Sequence, residues 1–132
     1  MNQESVDRPV VLIVDDDPSI LLLIDVLAER LGFRAKAVSS GLQALEQLRE
    51  GVRPAVILLD IMMERIDGVT FLAHLREMPE VAATPIIAMS TRAVLDRYVP
   101  QLHVDGVLIK PITVQALEEC LAPYRDPSSI SE

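Results

Sequence analysis

The strongest constraint on the fold of this chain is a set of short apolar runs, each closed by a polar or charged residue. Val10–Val14 runs into Asp15, Asp16 and Asp17, Ala55–Leu59 into Asp60, Ile86–Met89 into Ser90 and Thr91, and Val107–Ile109 into Lys110. An uninterrupted apolar run of this length is what a strand buried on both faces requires, and such strands belong to parallel sheets covered by helices. Arg34–Val38 adds a fifth, more polar strand. Between the runs the apolar spacing becomes helical. Asp17 caps and Pro18 opens a helix that reaches Leu31, with Gly32 free to take the left-handed turn behind it. Ser39 or Ser40 caps residues 41–50, where Leu42, Leu45 and Leu48 share a face and Gly51 ends the helix. A loop leads to Gly68 and a helix over 69–78 that carries Val69, Leu72 and Leu75, with Pro79 just past its end. A weaker helix around 92–98 is cut short by Pro100, and a last one spans 114–123. Strands alternating with helices in this way predict an α/β doubly wound five-stranded parallel sheet with five helices, over residues 9–124. Residues 1–8 then form a flexible N-terminus and 125–132 a tail or linker.

Composition narrows the function classes. With 132 residues, half of them apolar, the chain supports one packed domain and is not a disordered segment. Its apolar runs are too short to cross a bilayer, so no membrane association is expected. Residues 1–8 do not read as a secretory signal. Cys120 is the only cysteine, which fits a reducing, cytoplasmic setting. A net charge of −8 disfavours direct contact with nucleic acid. Only two of the twelve basic residues, Lys36 and Lys110, are lysines.

In doubly wound sheets the site lies outside the carboxyl ends of the strands. Asp15, Asp16, Asp17, Asp60, Ser90, Thr91 and Lys110 converge there. Carboxylates gathered at neighbouring strand ends repel one another unless protonated or neutralised, and hard oxygens with room for water suit Mg²⁺. Asp60, separate from the acidic triplet, can act as a nucleophile toward a phosphoryl group. Lys110 can then pair with one phosphoryl oxygen and the Ser90 hydroxyl bind another. Asp17 is assigned to capping. His74 and His103 lie away from the strand ends and are read as surface, Met62 and Met63 as loop packing, and Cys120 as core.

The segments VLIVDDDPSI, AVILLDIMMERIDGVTFL, PIIAMST and IKPI resemble the response-regulator receiver domain of two-component signalling, over essentially the whole chain. The resemblance implies the strand order 2-1-3-4-5, an order that flavodoxin-like folds share. It implies Mg²⁺ held by Asp15, Asp16, Asp60 and the backbone carbonyl of Met62, with Asp60 as phosphoacceptor and Ser90 and Lys110 as switch residues contacting the phosphoryl group. Pro111 is implied to follow a cis peptide bond. The implied donor is a histidine kinase or histidine phosphotransfer protein, and the implied readers are downstream proteins. A monomer or a weak homodimer through the helix 4, strand 5, helix 5 face is implied as well. The chain is then a signalling receiver, not an enzyme, beyond assisting its own phosphorylation and dephosphorylation.

The sequence also departs from the family. Val107 stands where an aromatic residue is usual, Glu64 where a proline is common, and the segment between Ser90 and Lys110 is shorter than usual, with Pro100 where helix four normally ends; Arg92 occupies a position that the family ties to phosphoryl-group lifetime. Other readings remain open at this point. One is a pseudo-receiver that binds partners without phosphorylation. Another is a phosphatase of the haloacid dehalogenase type with Asp15 as nucleophile, and a third is a flavin-binding sheet, for which the acidic first turn is a poor phosphate cradle. No output domain is expected after the last helix, so the chain is either a stand-alone receiver or one domain of a longer protein.

Overall fold

The apolar runs form the middle of a five-stranded parallel sheet with the order β2-β1-β3-β4-β5. The computed structural model describes residues 8–63 and 68–125. Its strands are β1 (Val10–Val14), β2 (Arg34–Val38), β3 (Val56–Asp60), β4 (Ile86–Ser90) and β5 (Gly106–Ile109). The helices are α1 (Pro18–Arg30), α2 (Gly41–Arg49), α3 (Gly68–Arg76), α4 (Arg92–Tyr98) and α5 (Val114–Arg125). Every residue of β3 and β4 is buried, whereas β2 and β5, at the edges, are half open.

Inside each apolar run the side chains still alternate between faces. Leu12, Val14, Ile57, Leu59, Ile86 and Ala88 pack against Leu45 and Leu48 of α2, Phe71 and Leu75 of α3, and Leu95 of α4. Val11, Ile13, Val56, Leu58, Ile87 and Met89 pack against Ile24 and Ala28 of α1 and Leu117 and Leu121 of α5. The sheet therefore separates two hydrophobic cores, and a continuous run is needed because neither face of its centre meets water.

Local signals place the helices. Asp17 caps α1 by accepting a hydrogen bond from the Ser19 N–H at 2.9 Å, and Pro18 opens the first turn. Gly32 and Gly51 take positive φ values of 101° and 111° behind α1 and α2. Ser40, rather than Ser39, caps α2 through the Gln43 N–H, while Gln43 Oε1 accepts from the Ser39 N–H.

Several expectations need correction. Leu42 and Val69 are exposed, so the buried stripes are Gly41, Ala44, Leu45 and Leu48 on α2 and Gly68, Phe71, Leu72 and Leu75 on α3. The buried stripe follows the i, i+3, i+4, i+7 spacing from Gly41 and from Gly68, and Leu42 and Val69 lie one residue, about 100°, around the helix from it. α5 continues through Pro123 to Arg125, because a proline in the last turn removes one amide bond near an end that is already fraying. Cys120 is only half-buried against the α1/α5 core, and burial pushes its thiol up to about 11. Met63 is buried, but the Met62 side chain faces outward. Glu64 lies outside the described residues.

Candidate functional site

Asp60 and Ser90 are the last residues of β3 and β4, not the first residues beyond them, so ladder bonds fix their backbones. Asp60 lies opposite Met89 and Ser90 opposite Ile109. The Ile61 N–H donates to Met89 O at 3.1 Å, and the Lys110 N–H donates to Ser90 O at 2.8 Å. Asp15 follows β1, and its N–H donates to Val38 O at 3.2 Å. Three strand ends and the turn after β5 thus deliver the side chains to one edge of the sheet.

Asp15 is fully buried, Asp60 is 4% exposed and Ser90 6%. One oxygen of Asp15, Oδ1, accepts the Asp17 N–H at 2.9 Å and so shapes the turn that presents Asp16. The other, Oδ2, accepts no hydrogen bond of good geometry and is answered by the Lys110 ammonium, 2.8 Å away. Lys110 also lies 3.5 Å from Asp60 Oδ2, while Asp60 Oδ1 accepts the Met62 N–H at 3.1 Å. The Lys110–Pro111 peptide bond is cis.

Burial and the neighbouring Asp15 charge push the Asp60 carboxyl up to about 6, against the pull of Lys110 and the Met62 amide, with Asp16 adding to the rise. Burial works to lower the Lys110 pKa, but its close pairing with Asp15 and the charge of Asp60 outweigh that, and the net direction is upward. The site is thus short of positive charge.

The donor set fits a divalent ion. Asp15, Asp16 and Asp60 each offer a carboxylate oxygen, all within 4.8 Å of one another. Three carboxylates against the single Lys110 ammonium leave two negative charges, which one hard dication balances. The buried Oδ2 of Asp15 has the Lys110 ammonium beside it but accepts no hydrogen bond of good geometry, which leaves it able to ligate a cation.

The remaining sequence-derived positions fall into place around this edge. Met62 supplies its amide to Asp60, and its side chain is exposed. Arg92 and Val107 do not touch the carboxylates; they line a groove between α4 and β5. Thr91 precedes α4 but makes no capping bond with its side chain. His74 and His103 are exposed and take no part.

Gly68 was missed in the sequence. A Cβ there would lie 2.7 Å from Asp60 O and 2.7 Å from Ile61 Cα, and the Gly68 N–H donates to Ile61 O at 2.9 Å. Only glycine lets the start of α3 sit on the Asp60–Ile61 backbone. Gly68→Ala is expected to lower stability by about 1–3 kcal/mol. It should also shift the Asp60 and Met62 amide resonances, and unchanged shifts would show that the backbone has room.

The sequence model of the response regulator receiver domain matches residues 11–122. Among curated proteins, the transcriptional regulatory protein ZraR of Klebsiella oxytoca is 32% identical over all of this chain and 29% of its own length. The signal transduction histidine-protein kinase BarA of Escherichia coli K12 is 32% identical over 92% of this chain and 13% of its own. The chain therefore spans under a third of these relatives. Among solved structures, the receiver domain of sensor histidine kinase PA1611 from Pseudomonas aeruginosa was determined with a magnesium ion coordinated in its active-site cleft. It superposes with a TM-score of 0.79 at 26% identity, over 88% of this chain and 96% of that one. The matched span runs from β1 into α5 and takes in Asp15, Asp16, Asp60, Ser90 and Lys110, and the chain belongs to the response regulator receiver domain family of two-component signal transduction.

Proposed function

We propose that Asp60 accepts a phosphoryl group from a histidine kinase or histidine phosphotransfer protein, and that the added charge changes which proteins this domain binds. The observation that carries this reading is a nearly buried carboxylate at a strand end, bracketed by two other acids and one lysine. The N–P bond of the donor breaks with its electron pair left on the imidazole nitrogen, as an Asp60 oxygen forms the new O–P bond. Lys110, already 3.5 Å from Asp60 Oδ2, is placed to pair with the incoming phosphoryl oxygens, and the Ser90 hydroxyl to hydrogen-bond them. Mg²⁺ held by Asp15, Asp16, Asp60 and the Met62 carbonyl would neutralise charge on the carboxylates and the phosphoryl group. Added charge at Asp60 then biases the β4–α4 and β5 segments, where Arg92 and Val107 lie. The assembly proposed is a monomer or a weak homodimer through the α4–β5–α5 face, in the cytoplasm and without nucleic-acid contact.

Incubation with acetyl phosphate and Mg²⁺, followed by mass-spectrometric mapping, is expected to place one acid-stable, hydroxylamine-labile phosphoryl group on Asp60. Asp60→Asn should abolish it. Modification of Asp15 instead would establish the phosphatase-like reading. No modification, with Asp60→Asn indistinguishable from wild type in its pathway, would establish a phosphorylation-independent interaction module.

A further inference from the structure

β2 forms one edge of the sheet and pairs with β1. The Arg34 N–H donates to Pro9 O at 2.8 Å and Val38 O accepts the Asp15 N–H at 3.2 Å, so Arg34, Lys36 and Val38 turn their backbone groups toward β1. In a parallel ladder the residues between them turn theirs away, which sets Ala35, Ala37 and Ser39 along the outer edge. An edge of this kind is a template for another strand.

Two of these three amides are taken by side chains. Glu29, at the end of α1, accepts the Ala35 N–H on Oε2 at 3.0 Å, while its Oε1 pairs with Arg8 at 3.2 Å. Gln43, in the first turn of α2, accepts on Oε1 both the Ser39 N–H at 2.9 Å and the Ser39 hydroxyl at 3.2 Å. Each acceptor is thus anchored by a second contact, and Ala37 lies exposed between them. The edge is also self-complementary about Ala37. In antiparallel pairing with a second copy, Ala37 meets Ala37, Ala35 meets Ser39 and Lys36 meets Val38. Small residues then face one another along the bonded row, and no like charges stand directly opposite. The amides that such pairing needs from Ala35 and Ser39 are the two that Glu29 and Gln43 hold. We propose that the β2 edge is a surface for antiparallel pairing with a second copy of this chain, and that Glu29 and Gln43 keep it shut. With both in place, pairing gains little beyond the Ala37 bonds; without them it gains the whole row. A two-fold axis at Ala37 would join the two sheets into one. β2 stands at the opposite edge from β5, and the pairing does not require phosphorylation of Asp60, so the two proposals fail separately.

The test is sedimentation equilibrium of the full chain up to about 1 mM, with amide hydrogen exchange followed at Ala35, Ala37 and Ser39. Wild type is expected to form no dimer through β2 over that range. The double variant Glu29→Ala, Gln43→Ala should dimerise with a dissociation constant on the order of 100 μM, at least ~10-fold below that of wild type. When dilute, its Ala35 and Ser39 amides should exchange about tenfold faster than in wild type, and all three edge amides should slow as the dimer forms. Glu29→Gln with Gln43→Glu keeps an acceptor oxygen at each place and should behave as wild type. Ala37→Pro, added to the double variant, removes the central edge N–H without touching the ladder to β1 and should abolish the dimer. Gln43→Ala alone leaves the Arg8–Glu29 pair intact and should speed exchange at Ser39 but not at Ala35, a readout that survives if the double variant fails to fold. A double variant that stays monomeric with both amides exchanging freely, a dimer that survives Ala37→Pro, unchanged exchange at Ser39 in Gln43→Ala, or a wild type that dimerises as tightly as the double variant would each overturn the proposal.

Discussion

Lys110→Met is expected to lower the stability of the metal-free domain by about 3–5 kcal/mol at neutral pH, the range found when one partner of a buried ion pair is removed. Asp15 has no exposed surface, and its Oδ2 has no hydrogen bond to fall back on once the ammonium 2.8 Å away is gone. Asp60 loses the same counter-charge at 3.5 Å. The loss should shrink as pH falls, because protonation relieves the stranded carboxylates. Lys110→Arg keeps the charge and should restore most of the stability. A guanidinium is a broad planar fork, however, and cannot reproduce the compact contact that Lys110 makes to both carboxylates. Urea denaturation in EDTA at several pH values measures this, and a loss below 1 kcal/mol for Lys110→Met would mean that water already solvates Asp15.

Asp60→Asn is expected to act in the opposite direction and raise metal-free stability at pH 7.5. Folding lifts the Asp60 carboxyl from 3.8 to about 6, so the folded state holds this proton more tightly than the unfolded chain does. Ionised Asp60 therefore weighs against folding, fully so above about pH 6. Between about pH 6 and pH 4 the folded protein takes up a proton that the unfolded chain does not, and the penalty disappears. At roughly 1.4 kcal/mol per pH unit the ceiling is about 3 kcal/mol, and a neutral isostere should recover about 1–3 kcal/mol of it. The gap between Asn and wild type should then shrink to about a third on acidification to pH 4.5. A wild type more stable than Asp60→Asn at pH 7.5 would show that the attraction of Lys110 outweighs burial and the other acids. In the double variant with Lys110→Met the two effects should not add, since both act on one electrostatic cluster. A site that resists its own charge gains from any cation or proton that enters it.

The sheet and the acidic edge were legible because they follow from strong local signals. A buried parallel strand needs unbroken apolar residues, and a charge after one needs a reason. Asp15, Asp60, Ser90 and Lys110 each stand at the end of such a run, and the structure gathers them at one edge. The helix faces were less legible. Leu42 and Val69 are three residues before Leu45 and Leu72 and so fit the helical spacing, but they stand at the margin of stripes centred on Ala44, Leu45 and Leu48 and on Phe71, Leu72 and Leu75, and apolar spacing alone did not fix where each stripe is centred. Gly68 was silent for another reason. Its role is to leave room for the Asp60 and Ile61 backbone, a contact between segments that no periodicity encodes. The strand bounds also moved by one residue at Asp60 and Ser90, because the ladder with a neighbouring strand, not apolarity, decides where pairing ends.

The alternation within β3 limits how a chain of this kind can change length. Val56 and Leu58 serve one core, Ile57 and Leu59 the other, and Asp60 follows as the next step of the same two-residue rhythm. Deleting a single residue inside β3 would exchange the tenants of both cores and turn the Asp60 carboxylate to the opposite side of the sheet. Insertions between elements change only the length of connections. Tolerance to insertion and deletion should therefore be divided sharply along this sequence, high between elements and lowest in the five residues that end on Asp60.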